Sequence, residues 1–309
     1  MKDVITARGT FTPLVEGFEQ FRNRLRRPAV QRAVFLCAAV VFGGGILISL
    51  WASPDLLSQL KPAPILLLVF VFAPALIVLN TSLLLATCKI TGAKMSLVSG
   101  LKLSILSSAA NYLPLPGGPA LRIVAMAESG ATLKGASLVN VAAALIWFGV
   151  TFLHAGFWAF TNGSMLFIAL IVTGLMAFGA GVFLVRLVSK NIFYIMALTI
   201  ISLLTAICYA VGFWFALRSI GFDGEFALAV IISVAGVIGA AASFAPAGLG
   251  VRELAAAYVA SLVATAPALG FLASAILQVA TVAPLVLVAI IFSLNSRAPQ
   301  SQPSASTNR

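Results

Sequence analysis

The sequence predicts an all-α fold: a polytopic integral membrane helical bundle with about six full spans plus two re-entrant or half-helix elements. Three observations predict it. Of 309 residues, 61% are hydrophobic and 9% charged, where soluble domains carry about 25% charged residues. Charge-free runs are long, with 20 residues over 33–52, 51 over 135–185, 27 over 191–217 and 43 over 254–296. No stretch alternates in the strand-like way, over about 10 residues, that a membrane β-barrel needs.

Three regions follow. Residues 1–32 form a basic cytoplasmic arm, 33–296 the transmembrane domain and 297–309 a disordered polar tail. The net charge of +11 does not point to nucleic acid, because seven of the 19 Lys/Arg residues precede residue 33. Positive charge beside a first span marks a cytoplasmic N-terminus. Leu14, Phe18, Phe21 and Leu25 recur there at helical spacing among arginines, as in an amphipathic helix lying on lipid; a solvated arm that only sets topology is the other reading. Cys37, Cys88 and Cys208 fall in apolar segments without metal or disulfide spacing and read as small buried hydrophobes.

The first span is 33–52. The second runs from about 63 to 88 with Pro74 as a kink, and Lys89, Lys94 and Lys102 follow on the cytoplasmic side. Two more spans share 135–185, divided at Thr161–Ser164, and Arg186 and Lys190 mark a cytoplasmic return. Lys102 and Lys134 then lie on the same side, so the chain between them crosses twice or not at all. Only one moderately apolar stretch is present there, which favours a hairpin entering from the cytoplasm and turning at LPLPGGP; a single crossing would invert everything downstream. Residues 194–217 cross outward. Residues 226–244 and 254–265 flank a second break, FAPAGLGVRE, and form either a hairpin or two crossings. Residues 268–294 are the last span, and the C-terminus is cytoplasmic.

The two breaks resemble each other. SAANYLPLPGGPALR and AAASFAPAGLGVRE each run from small residues through a polar–aromatic pair, proline and glycines to an arginine. Such paired interruptions point to a transport site in an inverted repeat. Pro119 suits the first turn of a helix starting near Gly118, and Gly248 and Gly250 precede a helix starting near Val251. Helix N-termini attract anions, and an arginine adds a fork of donors for phosphate. The candidate headgroup contacts are Arg122, Arg252, Glu253, Asn111, Gly117, Gly118, Gly248 and Gly250. Glu253 and Glu128 can pair with the arginines, and Ser243 is a further candidate contact. The alternatives are arginines that snorkel to the surface and Asn111 and Ser243 as packing groups.

His154, the only histidine, reads as a hydrogen-bonded interhelical group rather than a proton relay. Trp147, Phe157 and Trp158 read as packing or belt residues. With this histidine, three aspartates and five glutamates, and no catalytic motif, no enzymatic activity, cofactor or metal is expected.

The motifs ANYLPLPGGPALR, followed by GASLVNVAAALI, and PAGLGVREL resemble the lysylphosphatidylglycerol synthase transmembrane-region family. Here Ala247 replaces the first glycine of the second motif, and an acidic residue often found near Gly118 is absent. The resemblance implies a flippase-like domain of the bacterial inner membrane that moves a modified phospholipid, glycolipid or polyprenyl-linked lipid between leaflets. The polar segments at 1–32 and 297–309 are not expected to supply the soluble aminoacyltransferase domain that some members carry. Membrane lipids are the implied partners, with no nucleic acid. Homo-oligomerisation and a lipid-modifying or glycosyltransferase partner stay open. The other two functional readings are an enzyme acting on lipid phosphates and a scaffold for a lipid-modifying enzyme.

Overall fold

The computed structural model describes residues 44, 47–51, 60–111, 117–242 and 248–295. The basic arm at 1–32, most of the first expected span and the tail at 297–309 lie outside the described residues, as do 112–116 and 243–247. The described chain is helical, without strands: α1 Pro62–Thr91, α2 Leu97–Ala110, α3 Gly117–Glu128, α4 Leu133–Thr161, α5 Leu166–Val188, α6 Ile192–Ser219, α7 Phe226–Ala241, α8 Val251–Leu262 and α9 Pro267–Asn295.

Four of these, α1, α4, α5 and α6, are long and apolar enough to cross a membrane. Their outer faces expose large apolar side chains such as Phe70, Met176, Phe183, Phe193 and Met196, which a water-soluble surface of this extent would not carry. The expected total of about six spans exceeds these four; the difference lies partly at 33–52, which is largely outside the described residues. By contrast, α2 and α3 have 14 and 12 residues, about 21 and 18 Å at 1.5 Å per residue. Helix α8, with 12 residues, is equally short. None of the three reaches across about 30 Å of hydrocarbon alone.

Boundaries follow local chemistry. Ser96 caps α2 by accepting from the Ser99 amide, Thr132 caps α4 from Gly135, and Asn191 caps α6 from Phe193. Gly92, at φ 76°, ends α1 in the left-handed conformation that glycine adopts without penalty. The kink expected at Pro74 takes the form of a widened turn, a π-helical segment over Leu68–Phe72. Proline lacks an N–H and its ring presses on the carbonyl four residues back, and a wide turn relieves that conflict while the helix continues.

Small residues set how closely helices approach. Antiparallel α4 and α5 meet at Gly149, Gly156, Gly174 and Gly181; a Cβ on Gly149 would come within 2.6 Å of Phe178, and one on Gly181 within 2.7 Å of Ile146. This is packing by backbone proximity, as expected where lipid removes the hydrophobic drive between helices. Three apolar clusters continue it. The largest joins α1, α6, α7, α8 and α9, with the facing ends of α4 and α5, around Phe213, Leu217 and Leu277. A second joins α1, α4, α5 and α6. The third packs α3 between α1 and α4 through Met126, Leu84 and Ala136.

These contacts sort the charges. The Lys94 amide bonds to the Ser129 carbonyl, and Thr91 approaches Gly135. Lys89, Lys94 and Lys134 therefore share one end of the bundle, and antiparallel α5 brings Arg186 and Lys190 there too. The Lys61 amide bonds to the Ser219 carbonyl, so Lys61, Arg218, Asp223 and Glu225 occupy the other end, where Arg218 pairs with Asp223.

Replacing Gly149 with valine should destabilise the bundle by about 1–3 kcal/mol through overpacking, whereas Gly179→Ala, with nothing within 4 Å of the new Cβ, should not. Thermal unfolding in detergent, read by size-exclusion chromatography, checks both; a G149V protein as stable as the parent would contradict the close α4–α5 approach.

Candidate headgroup site

The part of α1 that follows the wide turn and the two broken hairpins converge on one cavity of about 490 Å³, within the range of small-ligand sites. It is walled by α1, the end of α2, α3, α4, α6, α7, α8 and α9. Arg122 and Arg252 both line it, together with Asn111, Gly118 and Gly248. Five of the residues singled out from sequence thus meet at one place, although they come from two widely separated segments.

Each arginine is held differently. Nε of Arg122 donates to Ser107 Oγ at 2.9 Å, and that hydroxyl donates to the Ser104 carbonyl. Ser107 is fully buried and fixes the guanidinium one helix away from its own backbone. Arg252 is 8% exposed. Its Nε lies 3.6 Å from Glu253 Oε1, too far for a hydrogen bond, and Nε and Nη2 have no hydrogen-bond partner. Arg252 is thus enclosed by protein, whereas Arg122 is half-buried at the cavity wall.

Glu253 does not line the cavity. It is wholly buried, accepts from the Gly250 amide at 2.7 Å, and receives a long 3.5 Å contact from the Ser274 hydroxyl. This is half of a capping box: the N3 carboxylate reaches back to the N-cap amide, and glycine has no side chain to reciprocate. The Gly250 donor is therefore used within the protein. Glu128, at the far end of α3, forms no ion pair with Arg122; the ion pairs among the described residues are Arg218–Asp223 and Arg252–Glu253.

The glycines serve close approach. A Cβ on Gly118 would fall 2.5 Å from the Ser107 carbonyl oxygen and onto the Asn111 side chain, so Gly118 is what lets Asn111 fold over the start of α3. Gly117 packs against Ala110 and is not in the lining. Gly248 has φ 68°, and a Cβ there would collide with the backbone of Gly239; Gly239 in turn accepts the stem of Arg252 against its Cα. Helix α3 carries no acidic residue in its first turn, whereas α8 carries Glu253. The positive end of α3 thus faces the cavity unopposed, and that of α8 is partly neutralised.

Ser243 lies outside the described residues. Trp147, expected as packing, lines the cavity, beside Tyr209 with ring centroids 5.8 Å apart. Trp158 does pack, edge-on against Phe226. His154, expected to be hydrogen-bonded, has its Nδ1 buried without a partner and is not in the lining. Cys88 is buried and Cys208 half-buried, both as free thiols; Cys37 is outside the described residues. Sequence reasoning passed over Asn80, Asn140, Ser202, Thr205, Gln278 and Thr281, all in the lining. Their signal was present as isolated polar residues within apolar spans.

No protein-family model matches the chain, and neither a curated protein nor a solved structure matches it. What the cavity can hold follows from its own chemistry. Among the described residues its lining has two arginines, several carboxamides and hydroxyls, and no carboxylate, histidine or cysteine. Such a site attracts an anion, and phosphate oxygens match the guanidinium fork.

Glu253→Ala should strip Arg252 of its counter-charge and leave the Gly250 amide unpaired. The expected cost is about 3–5 kcal/mol, as for a broken buried pair. Glu253→Gln keeps an acceptor for Gly250 and should lose less. Thermal unfolding of both variants in detergent gives the comparison, and equal losses would argue against the capping role.

Proposed function

We propose that this chain is a lipid translocase of the bacterial inner membrane, of the flippase-like kind that its two motifs resemble. It moves a phosphate-bearing amphipathic lipid between leaflets and performs no covalent chemistry on it. The observation that carries this reading is the meeting of Arg122 and Arg252, from separate interrupted hairpins, in one cavity with no lining carboxylate among the described residues. A lipid phosphate needs charge compensation at depth, and guanidinium groups with a helix N-terminus supply it.

In this reading α2–α3 and α7–α8 are corresponding halves of an inverted repeat, each a re-entrant pair that ends within the membrane. Broken backbone at that depth is tolerated where protein or a watery cavity surrounds it, and glycine crossings at Gly118 and Gly248 support such burial. The end bearing Lys89, Lys94, Lys134, Arg186 and Lys190 is cytoplasmic, because positive charge concentrates on that side. In this reading the N-terminus is cytoplasmic as well, in keeping with the seven Lys/Arg residues before residue 33. Against a hydrolase stands the lining itself, which offers no carboxylate, histidine or cysteine among the described residues to act as base or nucleophile.

The test is leaflet exposure of a fluorescent phospholipid in proteoliposomes, read by quenching of outer-leaflet label. Arg122→Ala and Arg252→Ala should each slow exchange by about tenfold or more, in line with the loss of a charge-assisted contact, and lysine should rescue only in part. Exchange at the parental rate in both alanine variants would sink the translocase reading. Release of inorganic phosphate by the pure protein would replace it with a hydrolase.

A further inference from the structure

Beyond the two arginines, the cavity wall holds polar atoms that the protein leaves unpaired. Gln278 on α9 is 2% exposed, and neither its Nε2 nor its Oε1 has a hydrogen-bond partner. Ser202 on α6 is 1% exposed with its Oγ unpaired, and Nε1 of Trp147 on α4 is buried and unpaired. All three line the cavity. Buried polar groups are normally satisfied by protein, water or ligand, and these three, from three helices, leave hydrogen-bonding capacity open in one cavity wall.

The required chemistry is specific. Gln278 presents a donor and an acceptor together, Ser202 presents a hydroxyl that is both, and Trp147 presents a donor. A ligand that satisfies them must donate and accept from neighbouring atoms, as hydroxyls on adjacent carbons do. An ammonium only donates and a phosphate only accepts. The Trp147 and Tyr209 rings, inclined at 37°, add an aromatic wall suited to the C–H face of a polyol ring. Those rings could also face a cation, but Arg122 and Arg252 in the same cavity repel one. Glu253, the carboxylate beside Arg252, is buried and committed to the Gly250 amide.

We infer that Gln278, Ser202, Trp147 and Tyr209 form an uncharged subsite for the hydroxyl-bearing part of an anionic phosphodiester lipid, a sugar or polyol headgroup, and that this subsite disfavours amine-bearing and aminoacylated headgroups. The inference rests on the translocase reading, since the phosphodiester is placed on the arginines.

Binding of short-chain lipids to the full-length protein in detergent, by isothermal titration, tests it. Dioctanoyl phosphatidylinositol should bind about tenfold or more tightly than dioctanoyl phosphatidylmethanol, which has the same phosphodiester without hydroxyl or amine. Dioctanoyl phosphatidylethanolamine should bind no better than phosphatidylmethanol. Gln278→Leu and Ser202→Ala should erase the inositol preference and leave phosphatidylmethanol affinity unchanged, which also reports correct folding. Isosteric Gln278→Glu should weaken phosphatidylinositol and strengthen phosphatidylethanolamine. Equal binding of the inositol and methanol lipids to the parent protein would overturn the inference, as would tighter binding of an amine headgroup. An inositol preference that survives in Q278L would do the same. If phosphatidylmethanol still binds in an Arg122- and Arg252-dependent way, the arginine site stands without the polyol subsite. If no phosphodiester lipid binds, both fail. Competition by deacylated glycerophosphoinositol as strong as by the lipid would make this a site for a soluble solute instead.

Discussion

A guanidinium removed from water must be balanced, and most of the polar architecture follows from that need at Arg252 and Arg122. Glu253 balances Arg252 at 3.6 Å while the same carboxylate holds the first turn of α8 through Gly250. One side chain thus ties the charge of the site to the start of the helix that presents it. Ser107 plays a lighter part for Arg122, offering one hydroxyl across α2. The difference leaves Arg122 nearer to a bare cation and Arg252 nearer to a neutral pair. An anion entering the cavity therefore meets an uneven field, stronger at the α3 side, where the helix N-terminus is also unopposed.

The glycine crossings make this placement affordable in space rather than in charge. Gly118 admits Asn111 over the top of α3, and Gly239 admits the stem of Arg252 against α7. Without them the hairpins would splay, and their arginines would separate. The outer pair α4–α5 uses the same device for a different end: four glycines fuse two spans into one rigid slab. That slab carries Trp147, Asn140 and Phe148 on its inner side.

Much of this was legible in the sequence because the signals are local. Apolar run lengths place α4, α5 and α6 within a few residues, and proline and glycine place the starts of α3 and α8. The pairing of the two broken stretches names both arginines. Other features depend on packing that no local pattern encodes. Trp147 reads as a packing or belt residue because aromatic residues in spans usually serve so, and only the approach of α6 shows it facing a cavity. Gln278 and Ser202 are single polar residues in long apolar helices, and their shared destination is a matter of helix rotation. Glu253 looked like a ligand contact by its place beside Arg252, yet successive residues on a helix point about 100° apart, so it turns into the core.

The wide turn at Leu68–Phe72 has a bearing on the cavity that its local chemistry does not reveal. One residue more than the α-helical repeat is accommodated there, which shifts the phase of everything downstream by about 100°. Upstream of it, no residue of Pro62–Leu67 is buried; within it Leu68 and Phe72 are turned to the core, and downstream Ile77, Asn80, Leu84 and Thr87 line the cavity. The turn is a phase adjuster between the two halves of α1. Shortening the helix by one residue there would keep its length, hydropathy and proline nearly intact and still rotate Asn80 out of the cavity wall. In this helix the count of residues, and not only their character, sets which face the cavity receives.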